Sequence, residues 1–180
     1  IVILYFFGIF SYVGLEQGIA NWISKFLEIY YSLDPQIMGA KIISYFWGLM
    51  TLGTFSGLFL LKIIDSRRIL IFFTSASIIS LLMSLFGPLK VSLFSFPLIG
   101  FFISTMWSII ISLALNSVPK DHGAFSGILV SGIIGGAVFP LIIGILADFA
   151  GLKVGMTLLL IPLLFILSIG FWSRPLVNNK

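Results

Sequence analysis

Polar residues recur on one face of the first predicted helix of this chain, whose surroundings are strongly apolar. Gln17 and Asn21 begin a stripe that Ser24 and Glu28 continue, because successive residues of an α-helix are about 100° apart. Glu16 lies beside this stripe. An ionisable side chain in a membrane-spanning helix costs at least about 2.5 kcal/mol, so it is expected to serve a function.

The residue types near this stripe suit recognition of a sugar. The amides of Gln17 and Asn21 each offer donors and an acceptor in one plane, which matches vicinal hydroxyl groups. Hydrogen bonding between helices is the alternative for both. Trp22, Trp47 and Trp107 have flat rings that can stack on a pyranose, but Trp is also typical of the membrane interface, so anchoring is their alternative.

Three interpretations of Glu16 are open. Its carboxylate could bind sugar hydroxyls or take part in proton coupling, because a low dielectric disfavours an ionised carboxylate. It could instead pair with a basic or polar group on another helix. It could also lie closer to the membrane surface than its place in the apolar run indicates.

The composition is that of a membrane protein. Of the 180 residues, 59% are hydrophobic and 9% are charged, and the mean hydropathy is +1.21. Soluble proteins have about 25% charged residues. The chain has no cysteine and one histidine, which argues against a metal site.

We predict an all-α membrane protein with six transmembrane helices. Each needs roughly 20 apolar residues to cross the hydrocarbon core, and the uncharged intervals provide them. The predicted helices cover residues 1–31, 37–61, 69–86, 91–115, 123–147 and 154–172. The chain begins inside an apolar run without an initiating Met or a signal-peptide pattern, so we expect a fragment whose N-terminal part is missing.

Basic residues indicate the orientation. Six crossings place on one side Lys62, Arg67, Arg68, Lys120, Arg174 and Lys180. They place on the other side Lys25, Lys41, Lys90 and Lys153. The positive-inside rule then predicts that the first side is cytoplasmic. The basic residues lie in separate short loops, so no nucleic-acid-binding face is expected.

Polar residues at the predicted cytoplasmic side are interpreted as loop or gating groups. Asp65, Arg67 and Arg68 form the most basic loop of the chain. Asn116 follows the fourth helix at the cytoplasmic mouth, where gating or helix capping is expected. His122 lies in the next loop, where it is interpreted as solvated or as ordering that loop.

Small residues recur every four positions on the later helices. The fifth helix carries two such rows, Gly123, Gly127, Ser131 and Gly135, and Gly132, Gly136, Pro140 and Gly144. The fourth carries Gly100, Ser104, Ser108, Ser112 and Asn116. Such rows let helices approach closely in lipid, and we interpret most of them as ordinary packing. For Pro140, a bend that serves a conformational change is the equal alternative.

Long stretches of the chain resemble a known family. The text WSIIISLALNSVPKDHGAFSGILVSGIIGGAVFPLIIGILADFAGLKVGM, continuing to LSIGFWSRPLVNNK, is similar to the C-terminal half of sugar transporters of the major facilitator superfamily. The fucose:proton symporter family and its glucose/galactose relatives are the nearest group. YVGLEQGIANW resembles the seventh helix of that family, and the loop with Gly57, Asp65, Arg67 and Arg68 loosely matches a cytoplasmic loop signature.

The resemblance implies the C-terminal half of a twelve-helix carrier, built as two inverted three-helix repeats and working by alternating access around a midplane site. It implies transport of a monosaccharide, a hexose or deoxyhexose such as fucose, glucose or galactose. Proton symport is implied, with sodium as the alternative ion and no cofactor. In several family members the main coupling carboxylates lie in the N-terminal half. The resemblance therefore does not by itself assign coupling to Glu16, and both sugar binding and coupling stay open for this residue.

The implied partners are the sugar, the lipid bilayer and the missing N-terminal half. The implied location is the plasma membrane or the bacterial inner membrane. A membrane sensor or assembly component on the same fold, without transport activity, is the alternative function. An enzyme is not expected, because Glu16 has no acidic neighbour at helical spacing except Glu28, and His122 is predicted on the far side of the membrane.

Overall fold

Six long apolar helices make up the computed structural model, which describes residues 1–118 and 122–173. They are α1 (Val2–Tyr31), α2 (Pro35–Ile63), α3 (Ser66–Phe86), α4 (Leu89–Leu115), α5 (His122–Ala150) and α6 (Leu152–Trp172). At about 1.5 Å per residue, each can cross a hydrocarbon core of about 30 Å. The predicted all-α, multi-pass membrane fold is confirmed. Lys120, Arg174 and Lys180 lie outside the described residues, and the orientation stays a prediction.

Short polar turns begin the helices slightly before the positions expected from the apolar pattern. The Asp34 carboxylate accepts hydrogen bonds of 2.8 Å from the backbone N–H groups of Gln36 and Ile37, so α2 begins at Pro35. The Asp65 carboxylate accepts one of 2.9 Å from the backbone N–H of Arg67 at the start of α3. Capping side chains extend a helix beyond its apolar run, which hydropathy alone does not register.

Two of the helices are interrupted where a side chain or a proline disturbs the backbone ladder. In α4 the α-helical geometry is lost at Ser104 and Thr105, where the Ser104 hydroxyl donates to the Phe101 carbonyl over 2.7 Å. In α6 the turn at Leu158 precedes Pro162, which has no N–H to bond the Leu158 carbonyl. Continuous helices were predicted at both places, because apolar periodicity does not report such local competition.

The irregular part of α5 lies before its proline. Gly132–Ile134 form a 3₁₀ turn, and Pro140 sits inside the regular helix that follows. Gly132 and Gly135 approach the backbone of α1 near Phe10 so closely that a Cβ atom on Gly135 would overlap the Phe10 carbonyl. The change of geometry therefore accompanies a close helix contact, as small residues permit in lipid.

The helices pack around α1, which contacts α4, α5 and α6, while α2 packs mainly on α4, and α3 on α4 and α6. At one end the Tyr31 hydroxyl donates to the Gly87 carbonyl over 2.7 Å. At the other end the Tyr5 and Ser117 hydroxyls are 3.0 Å apart. These contacts join residues far apart in the chain and tie both ends of α1 to the ends of α4.

Candidate functional site

A pocket of about 390 Å³ opens between α1, α2 and α4. Its walls are formed by Tyr12, Glu16, Trp47, Met50, Thr51, Thr54, Ser104, Trp107 and Ser108. We call it the carboxylate pocket. Each helix contributes residues spaced four apart, which lie on the same face of that helix. The pocket brings Glu16, Trp47 and Trp107 together, three residues singled out in the sequence.

Glu16 provides the acidic group of the carboxylate pocket. Its side chain is half-buried and accepts a hydrogen bond of 3.2 Å from the Gln17 amide. Within the described ranges the ion pairs join Lys25 to Glu28 and Arg67 to Asp65. The part of the chain that the structure describes therefore supplies no cation for Glu16, and its carboxylate is available to a ligand, a proton or a group from elsewhere in the protein.

Three hydroxyl groups of the carboxylate pocket are arranged as acceptors. Thr51 and Thr54 each donate over 3.0 Å to a carbonyl of their own helix, four residues earlier. Ser104 donates to Phe101 in α4. Since each hydroxyl uses its one hydrogen inside the protein, its oxygen can only accept from a ligand. Together with the Glu16 carboxylate, these oxygens favour a ligand that carries several donors.

The four tryptophans divide into two pairs. The indole N–H of Trp22 donates to the Pro140 carbonyl over 3.2 Å, and that of Trp172 to the Ser168 hydroxyl over 3.2 Å. Among the described residues, no acceptor bonds the indole N–H of Trp47 or Trp107, and both rings line the carboxylate pocket. Since neither ring is fully buried, both can present an N–H donor and an apolar face to the cavity.

The polar stripe predicted on α1 is divided between two surroundings. Gln17 packs against Gly136 of α5, and the amide of exposed Asn21 donates to the Gln17 carbonyl over 2.8 Å. Trp22 packs on Gly144 of α5. None of the three lines the carboxylate pocket, because all three point at least about 100° away from Glu16 around the helix.

A second cavity of about 470 Å³ adjoins the first and shares Trp107 and Ser108 with it. We call it the serine pocket; its other walls are Ile111, Ser112, Leu115 and Asn116. The Asn116 amide donates to the Ser112 hydroxyl over 3.4 Å. Ser108 and Ser112 are exposed in the cavities, so no described helix packs on this part of the row. Four-residue spacing reveals a shared face but does not say whether a helix or a space lies opposite.

The remaining predicted loop residues lie at the end of the bundle where α2 meets α3. Arg67 contacts the Asp65 carboxylate and donates from Nη1 to the Ser173 carbonyl over 3.3 Å, which ties the start of α3 to the end of α6. Arg68 is exposed beside them. His122 is exposed, with Nε2 3.1 Å from the Val118 carbonyl oxygen. None of these four lines the carboxylate pocket.

Tyr12, Thr51 and Thr54 were not singled out from the sequence. Tyr12 lies one turn before Glu16, and its ring is 5.9 Å from that of Trp107. Thr51 and Thr54 follow Trp47 at helical spacing, which is the signal that could have identified them. Within residues 1–118 and 122–173 no group of three or more His, Asp or Glu side chains could hold a metal ion.

No family model matches the chain. A glucose/galactose transporter of Brucella abortus biovar 1 (strain 9-941) is 34% identical over 179 residues, which cover 96% of this chain and 41% of that protein. The chain thus spans about two fifths of the length of the curated relatives it matches. These relatives are named as transporters.

Solved structures share the arrangement of α1–α6. FucP, the E. coli fucose:proton symporter, in the outward conformation gives a TM-score of 0.89 at 19% identity, over 96% of this chain and 42% of FucP. A peptide transporter, POT, in complex with sulfate gives 0.82 at 17% identity, over 99% of this chain and 39% of POT. At these identities the likeness shows the fold alone, and the predicted six-helix half is confirmed.

Proposed function

We propose that the chain is a member of the major facilitator superfamily, whose C-terminal half has the same fold, and that it forms one half of a carrier that moves a monosaccharide across a membrane. The observation that carries this proposal is the carboxylate pocket, where three helices place a carboxylate, several hydroxyl oxygens and two indole rings around one cavity. The name glucose/galactose transporter of the relatives favours a hexose as the substrate.

The chemistry of the carboxylate pocket fits a monosaccharide. Sugar hydroxyls can donate to Glu16, Thr51 and Thr54 and accept from the indole N–H groups of Trp47 and Trp107. The indole faces offer apolar surface to the C–H face of the ring. The volume of 390 Å³ is near the lower end of the range of about 300–1,000 Å³ found for small-molecule sites, which favours one sugar ring over a longer chain.

The backbone of α4 beside the pocket also supports a carrier. The helix is interrupted at Ser104 and Thr105, and Ser104 and Trp107 line the pocket on either side of Thr105. Discontinuous helices at midplane sites are typical of secondary transporters, in which one half of the protein moves against the other around the ligand. We propose that a second six-helix half closes the pocket and that the two halves alternate in access.

Proton symport is the proposed coupling mode, with sodium as the alternative ion. Glu16 is the acidic side chain of the pocket, and no described cation offsets its charge. Closing an ionised carboxylate into a dry cavity without a partner is costly, whereas a protonated carboxyl group bears a much smaller cost. A loaded carrier would then close readily only when Glu16 holds a proton. No cofactor is proposed.

Replacing Glu16 by glutamine tests this proposal in the full-length protein reconstituted in liposomes. Gln mimics the neutral carboxyl group, so exchange of labelled hexose across the membrane should persist within about threefold, while uptake driven by a proton gradient should fall about a hundredfold. Glu28→Gln is the matched control, because Glu28 lies on the same helix and is paired with Lys25 at 2.9 Å on the surface.

Two results would overturn parts of the proposal. Undiminished concentrative uptake by Glu16→Gln would reject the coupling role of Glu16 and leave the carrier function intact. Sugar binding by the parent protein without any exchange of labelled hexose would instead reject transport and favour the sensor alternative.

A further inference from the structure

A third cavity, of about 680 Å³, lies between the first halves of α2 and α4. Its walls include Lys41, Tyr45, Leu52, Lys90, Phe94 and Pro97. We call it the lysine groove. It is larger than either pocket of the candidate site, and it shares no lining residue with them.

The lysine groove opens away from the carboxylate pocket. The α2 residues that line the groove are centred about 120° around the helix from Trp47 and Thr51, which line the carboxylate pocket. Between these two faces, in the other direction around α2, lie the residues that contact α4, such as Phe46 and Gly53. Phe94 is 65% exposed on the groove. In a multi-pass membrane protein such a surface meets the surrounding lipid unless protein covers it.

One end of the lysine groove is positively charged. Lys41 lies in the second turn of α2, Lys90 is the second residue of α4, and both side chains are exposed. No acidic residue lines the groove, and the ion pairs of the described ranges lie elsewhere. Pro88 precedes α4 without a side-chain cap, so the first N–H groups of α4 add their partial positive charge.

Apart from the hydroxyl groups of Ser44 and Tyr45, the rest of the groove is apolar. From the lysine end, Leu49 and Leu52 of α2 face Phe94 and Pro97 of α4, each deeper in its helix than the lysine. The groove thus has basic groups near the helix starts and an apolar channel that runs toward the membrane centre. This arrangement is complementary to a phospholipid, which has an anionic headgroup and apolar acyl chains. The two exposed lysines at one end therefore favour an occupant with an anionic headgroup over the apolar face of a helix.

We propose that the lysine groove binds one anionic phospholipid. Its phosphate contacts Lys41 and Lys90 near the start of α4, and an acyl chain lies along the apolar wall. Lysines near helix ends reach toward the membrane interface, where their charge attracts anionic headgroups. The site is separate from the carboxylate pocket and does not depend on the transported substrate.

Native mass spectrometry of the full-length protein in detergent tests this assignment. The Kd of the first bound phosphatidylglycerol is compared with that of a phosphatidylcholine with identical acyl chains, which carries the same tail under a neutral headgroup. We expect phosphatidylglycerol to bind at least about tenfold more tightly. Lys41→Gln combined with Lys90→Gln should remove this preference.

Two further variants separate the site from general effects. Lys62→Gln combined with Lys153→Gln removes the same charge outside the groove and should keep the preference. Gly48 lines the groove, and no heavy atom lies within 4 Å of the position of a Cβ there. Gly48→Phe should therefore fill the apolar channel without disturbing the fold and weaken the binding of both lipids by about tenfold.

Equal affinity of the parent protein for the two lipids would overturn the proposal. So would equal losses of preference in the two double lysine variants, since this would indicate attraction to the net charge rather than to the groove. Unchanged lipid binding by Gly48→Phe, with an unchanged melting temperature, would show that the acyl chain lies elsewhere.

Discussion

The two flanks of α1 carry similar residue types in different surroundings. On one flank Tyr12 and Glu16 face the carboxylate pocket, where the carboxylate has no described cation beside it. On the other flank Gln17 and Trp22 lie against glycines of α5, and the indole N–H of Trp22 is bonded to Pro140. The difference shows that the opposing helix decides whether a polar side chain is available to a ligand. Changes on the α5 flank should therefore alter stability, and changes on the pocket flank should alter transport.

The largest effect is expected where α5 touches α1. Gly135→Ala would place a Cβ atom against the Phe10 carbonyl, so the two backbones must separate, at a cost of about 1–3 kcal/mol. The melting temperature in detergent should fall clearly. Gly127→Ala is the control on the same helix, because no atom lies within 4 Å of the added Cβ in the described chain. Equal melting temperatures of the two variants would contradict the close contact.

A smaller effect is expected from removing an indole ring on the pocket flank. Trp107→Leu should weaken hexose binding about tenfold, or about 1.4 kcal/mol, because it removes a donor and a stacking face. Its melting temperature should change little. Trp22→Leu should do the reverse, since it breaks the bond to Pro140 and leaves the pocket intact. Hexose-binding titrations and melting curves of both variants measure these effects. If only Trp22→Leu weakened hexose binding, the sugar would lie on the α5 flank rather than on the pocket flank.

The smallest effect is expected at Asn21, one turn beyond Gln17 on α1. Asn21 is exposed, and its amide bonds only the Gln17 carbonyl of its own helix among the described residues. Asn21→Ala should change stability by less than about 0.5 kcal/mol and leave hexose uptake within twofold. A large loss of uptake in a transport assay would mean that Asn21 faces the sugar after all, as its place in the polar stripe first indicated.

Much of the fold could be predicted because lipid imposes simple rules on a sequence. Apolar intervals of membrane length, punctuated by charges such as Asp65 and Lys90, determine the number and approximate position of the helices. The breaks at Ser104 and before Pro162 could not be predicted, because they depend on single side chains competing with the backbone ladder. Helix ends at Asp34 and Asp65 were missed by a few residues for the same reason.

The candidate site was only partly predictable. A carboxylate inside a membrane-spanning helix has a high free-energy cost of burial, which marks it as a functional candidate. Glu16 could therefore be identified without knowledge of its neighbours. Gln17 and Asn21 were grouped with it because a helical wheel shows relative directions but not which direction holds another helix. Thr51 and Thr54 were passed over because hydroxyl residues are common in membrane helices and bond their own backbone. Only the packing of α2 and α4 against α1 reveals that these faces surround a cavity.

Thiol labelling at Thr51 and Leu52 tests most directly whether the carboxylate pocket is a water-filled sugar site. The two residues are neighbours on α2; Thr51 lines the carboxylate pocket and Leu52 lines the lysine groove. The chain has no cysteine, so Thr51→Cys and Leu52→Cys each introduce a single thiol into it. We predict that a membrane-impermeant maleimide labels Thr51→Cys, that glucose or galactose slows this labelling, and that Leu52→Cys stays unlabelled. Labelling of Leu52→Cys as fast as Thr51→Cys, or no protection of Thr51→Cys by any hexose, would contradict the proposed site.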